Sequence, residues 1–137
     1  MRKEVYEKIR EKLVEIGENE IAHIDMWNRN VDFIEQETAW ERPAVFIEFE
    51  PVQWISIVPG VQYRTEAKVR LHIVTDWKAQ ETNVFELPEK IHRALAGLEG
   101  ESFTDFTLSE SHTNHNHEEI IESVEVYSFV AFLNMGS

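Results

Sequence analysis

Cysteine is absent from the sequence, which removes disulfides, thiolate metal ligands and thiol nucleophiles together and fits a reducing compartment. Long apolar runs are absent too. The N-terminal MRKEVYEKIREKL has no signal-peptide core, and no later stretch approaches the length that spans a bilayer, so a soluble protein that is not exported is expected. Basic residues are scarce: 13 Lys and Arg face 26 Asp and Glu, giving a formal net charge of -13. The cations are interspersed with acids rather than gathered, which disfavours direct binding of nucleic acid. Phosphate-cradling glycine motifs are missing, as is the GxSxG elbow of a serine hydrolase.

What remains is ordinary globular composition, with 42% hydrophobic and 28% charged residues. A length of 137 residues fits one domain with one core, residues 1–137, and neither a repeat nor a linker divides it.

Val5, Ile9, Leu13 and Ile16 recur at helical spacing and predict an amphipathic helix from Arg2 to Ile16, closed by Gly17. Glu4 with Lys8, and Lys12 with Glu15, are placed to pair on its outer side. Glu20 to Trp27 reads as a short strand and Asn28 to Arg42 as a long connection containing Phe33, Ile34 and Trp40. Pro43 opens a strand over Ala44 to Phe49, with Val45, Ile47 and Phe49 opposed to Phe46 and Glu48. Gln53 to Val58, the turn Pro59-Gly60, and Val61 to Thr75 then form a hairpin. The second arm alternates most clearly, with Val61, Tyr63, Thr65, Ala67, Val69, Leu71 and Ile73 inward and Gln62, Arg64, Glu66, Lys68, Arg70 and His72 outward. At roughly 3.3 Å per residue it runs about 45 Å, so part of it should project beyond the core.

Phe85, Leu87, Ile91, Ala94, Leu95 and Leu98 define a second amphipathic helix with Pro88 in its first turn. Ser102 to Ser111 and Ile120 to Leu133 read as strands joined by the polar loop HTNHNHEE. The fold class is therefore α+β: an antiparallel-rich mixed sheet, two main helices packed on one face, and one long β-hairpin extending from the core.

The candidate metal ligands are His112, His115 and His117, three imidazoles within six residues and followed by Glu118 and Glu119. A loop offers no rigid second shell to organise them, so a polar turn is the expected role, with no metal and no cofactor. His23, His72 and His92 are read as surface or packing residues. Acidic pairs are too common here to mark catalysis, and no catalytic residue is assigned. Of the four Trp, Trp54 and Trp77 are the expected interface residues, with Tyr63 and Arg64 on the long strand; Trp27 and Trp40 are equally suited to the rim of a core.

Three segments, PAVFIEFEPVQWISIVPGVQYRTEAKVRLHIVTDW, FELPEKIHRALAGL and NHNHEEIIESVEVYSFVAF, together with the first helix, resemble small phage and prophage proteins of the tail terminator and tail-completion group. The resemblance implies a non-enzymatic α+β subunit that closes into a ring, commonly a hexamer, at the head-proximal end of a tail. It implies tail-tube and head-tail connector proteins as partners, and assembly in the cytoplasm of a bacterial host before incorporation in the virion tail. The hairpin would extend the sheet toward a neighbouring subunit. Two other classes compete: a metal-dependent enzyme or metal-binding module using the histidine run, and a small adaptor domain binding a peptide at a sheet edge.

Overall fold

Apolar residues at intervals of four leave one stripe of a helix to be buried, and α1 (Arg2–Ile16) presents Val5, Ile9 and Leu13 fully buried. The computed structural model describes residues 1–28, 41–77, 83–117 and 119–135. Phe33, Ile34 and Trp40 lie outside the described residues. The first strand is β1 (His23–Met26), followed by β2 (Ala44–Phe49), β3 (Ile55–Val58) and β4 (Gln62–Asp76). A 3-10 turn at Asn83–Phe85 leads into α2 (Glu86–Leu95), and β5 (Phe103–His117) and β6 (Ile120–Asn134) complete the described elements.

The strands form one sheet in the order β1-β2-β4-β6-β5, with β3 also pairing to β4. β1 runs parallel to β2, and every other pair is antiparallel, so the sheet is mixed as expected. β2 and β3 lie along the same side of β4, against Val69–Val74 and Gln62–Arg64 respectively. No helix among the described residues is long and apolar enough to cross a membrane.

Both helices cover one face. Val5, Ile9 and Leu13 of α1 and Leu87, Ile91 and Leu95 of α2 share a core with Val45, Ile47, Val69, Leu71, Ile73, Tyr127 and Phe129. The period of two along β2, β4 and β6 delivers these residues to the same side. Pro88 sits in the first turn of α2, where no intrahelical N–H is needed.

Three expectations change. HTNHNHEE is not a loop: His112–His117 continues β5, and the reversal falls after it, next to Glu119. The fifteen residues of β6 offer a full row of backbone partners, and an edge strand exposed to water accepts polar side chains. The second change is that β4 finds its long partner in β6, paired from Gln62↔Asn134 to Asp76↔Ile120, while its hairpin mate β3 has only four residues. The third concerns Glu4. Its carboxylate accepts hydrogen bonds from Ser102 N (2.8 Å), Ser102 Oγ (2.7 Å) and Glu101 N (3.1 Å), tying α1 to the α2–β5 turn instead of pairing chiefly with Lys8.

In β5 the alternation itself is broken. Phe103 and Phe106, three apart, both enter the core, because the register shifts between Thr104 and Thr107 and Asp105 takes a left-handed φ of 60°. Such a bulge moves the phase by one residue.

Candidate functional site

Two regions stand apart from ordinary packing. The first is the end of the sheet where β3, the start of β4 and the end of β6 meet. Gly60, at φ 73°, turns β3 back on β4, and Val61 N–H donates to Val58 O at 2.9 Å. Thr65 Oγ1 donates to Gln53 O at 2.7 Å, and Met135 N–H donates to Val61 O. The backbone of this end is thus held from several sides. Its side chains are not covered: Ile55 is 62% exposed, Ile57 48%, Val58 44%, Val61 40% and Met135 63%. Among the described residues, the outer edge of β3 pairs with no strand.

Charge is nearly absent here. From Pro51 to Thr65 the only charged residue is Arg64, and from Val126 to Met135 there is none. An even spread of 26 acids over 137 residues would place about five in those 25 positions. On a chain of net charge -13, these two stretches add no acidic side chain to repel another negatively charged molecule.

Three of the four expected interface residues gather at this end. Trp54 is half-buried against the main core, just before β3, and Tyr63 and Arg64 sit on β4 opposite Ser56 and Ile55. Arg64 approaches Glu66 at 4.0 Å, with both side chains exposed. Trp77 lies elsewhere, just past the far end of β4, roughly 45 Å away along the strand. Its N–H donates to Glu119 O at 2.8 Å, and its ring is 5.3 Å from His115 and 6.3 Å from Phe85.

The histidine run does not converge. His112 faces the side of the sheet away from the helices and bonds Glu110 at 3.0 Å, holding that carboxyl below the usual carboxylate range. His115 instead packs edge-on against Trp77, and the His117 side chain lies outside the described residues. Among the described residues, no three His, Cys, Asp or Glu side chains are grouped to hold a metal ion.

The second region is one that the alternation of β4 hides. His72, on the nominally polar face, is 6% exposed. Its Nδ1 is 2.8 Å from Glu122 Oε2 and its Nε2 2.8 Å from Glu48 Oε1. Trp27, carried in by β1, stacks on the imidazole at 3.7 Å with the planes 2° apart and meets Phe46 edge-on at 6.2 Å. Ala44, Phe46, Val74 and Ile120 form a small second core beside it. Glu122 also accepts from Asn114 Nδ2 at 3.0 Å. The sequence signal was Phe46, in phase with Glu48, and Val74, in phase with His72: apolar residues on the polar side of the strand alternation.

Neither a protein-family model nor a curated protein sequence matches the chain.

Proposed function

We propose that this chain is a structural assembly subunit of the phage tail terminator kind, joining copies of itself into a ring through the β3 end of its sheet. The observation that carries the reading is the uncovered, acid-free apolar end formed by Ile55, Ile57, Val58, Val61 and Met135 beside an open strand edge. Burying such residues is favourable at about 25 cal/mol per Å², and an open edge supplies directional backbone bonds. The low charge lets two strongly acidic chains meet there.

A ring needs a second, different patch on each subunit. The opposite end, with Trp77 half-buried and Phe85 39% exposed, offers one. Tail-tube and connector proteins are the further partners of this reading, and host cytoplasm followed by the virion tail is its location.

Light scattering across protein concentration, with and without a chelator, tests it. A chelator-insensitive oligomer is expected, and Ile57→Asp should return it to monomer with unchanged far-UV circular dichroism. A chain that stays monomeric at all concentrations and does not bind a tail-tube protein overturns the proposal.

A further inference from the structure

A neutral imidazole has one N–H, and its other ring nitrogen is a lone pair; an ionised carboxylate only accepts. His72 has a carboxylate oxygen 2.8 Å from each ring nitrogen. Both contacts are attractive only if the three groups hold one proton more than a neutral ring and two ionised carboxylates would, carried by the ring or by one glutamic acid.

The charged neighbours have partners of their own, and Arg70 also stands opposite Glu48 in the β2–β4 register. From β4, Arg70 is two residues away and is engaged by Glu50 at 3.4 Å. Arg42 is engaged by Asp76. From β5, His112 is turned to Glu110 at 3.0 Å, and Asn114 donates to the other oxygen of Glu122. From β1, His23 and Asp25 face one another at 3.8 Å. A positive charge on His72 therefore lies between Glu48 and Glu122, with the indole face of Trp27 parallel to it, the arrangement in which a flat cation is attracted to an aromatic ring.

We propose that Glu48, His72 and Glu122 form a proton-holding pin that fastens Trp27, at the end of β1, against the face of the sheet away from the helices, so that this packing is released as the pH is raised. With the proton in place, the ring donates to β2 on one side and to β6 on the other, crossing β4. When the proton leaves to water, through the more exposed Glu48, one ring nitrogen presents its lone pair to a carboxylate. That carboxylate withdraws, and the stack on Trp27 loses its ionic part. A histidine set between charges is the usual element of such switches.

Nitrogen-15 NMR of the histidine ring, with carbon-13 spectra of the glutamate carboxyls, counts the protons directly. The expected result is two protonated nitrogens on His72 while Trp27 is stacked, and a Trp27 indole signal that shifts in step as the proton is lost at higher pH. The Glu48→Gln/Glu122→Gln double variant supplies amides that both donate and accept; it should keep Trp27 packed and lose the pH response. A neutral ring flanked by two ionised carboxylates with Trp27 still stacked overturns the proposal. So does a Trp27 signal that stays flat while the cluster titrates, or a double variant that retains the response.

Discussion

Replacing Glu4 by alanine is expected to release the α2–β5 turn from the first helix. The carboxylate accepts from Ser102 Oγ, Ser102 N and Glu101 N at 2.7, 2.8 and 3.1 Å, contacts between residues 97 and 98 positions apart in sequence. Hydrogen bonds to a charged group contribute about 1.5–3 kcal/mol each when sheltered, but solvent reaches this cluster and weakens them. A combined loss of about 1.5 kcal/mol follows. With an unfolding entropy near 2.1 cal/mol/K per residue, a chain of this length should lose about 5 °C in Tm.

The pH dependence sharpens the test. The Ser102 hydroxyl, then the Ser102 amide, hold the Glu4 carboxyl below its usual value. A lowered folded-state value means stability that is present above the unfolded value and lost as pH falls through the folded one. The gap between wild type and Glu4→Ala, read by thermal melts, should be full at neutral pH and close on acidification below the ordinary carboxylate range. Gly100→Ala gives an independent handle, because its Cβ would come 2.5 Å from Glu4 Oε1 and 2.8 Å from Phe103 Cε1. The two substitutions should be less than additive. Equal Tm values for wild type and Glu4→Ala at neutral pH, or a gap that persists in acid, would refute the clamp.

Tyr127 is 1% exposed, burial pushes its phenol well above the usual range, and its hydroxyl has no hydrogen-bond partner among the described residues. Tyr127→Phe removes an unpaired buried polar group and should leave stability unchanged or raise it by up to about 1 kcal/mol in a urea titration; a loss above about 1 kcal/mol would show that the hydroxyl is bonded. Phe46 is fully buried in the second core, under Trp27. Phe46→Ala should cost about 3–4 kcal/mol by the same titration, where an outward strand position would change stability by less than about 0.5 kcal/mol.

Much of the architecture was readable because local rules and tertiary packing agree. The spacing of Val5, Ile9 and Leu13, the alternation of Thr65 to Ile73, and the turn at Pro59-Gly60 each have one low-energy solution, and the structure adopts it. The charge-poor stretch from Pro51 to Thr65 is a property of the sequence too, and Tyr63 and Arg64, two of the expected interface residues, fall within it. The polarity of the histidine run predicts a loop, yet the run is strand. Polarity records exposure to water, which an edge strand shares with a loop, and only the length of β6 discriminates between them.

From the order of its residues alone, this protein had an α+β fold, its two helices and their buried stripes, its β-rich segments, and an acidic character that leaves one stretch almost uncharged. These follow from periodicity, backbone propensity and charge, which act over a few residues. The tertiary structure decided that β4 pairs with β6 along its whole length, that Glu4 reaches across 98 positions to Ser102, and that His72 is enclosed by Glu48, Glu122 and Trp27. Such partners are tens of residues apart, and what brings them together is the order of strands in the sheet.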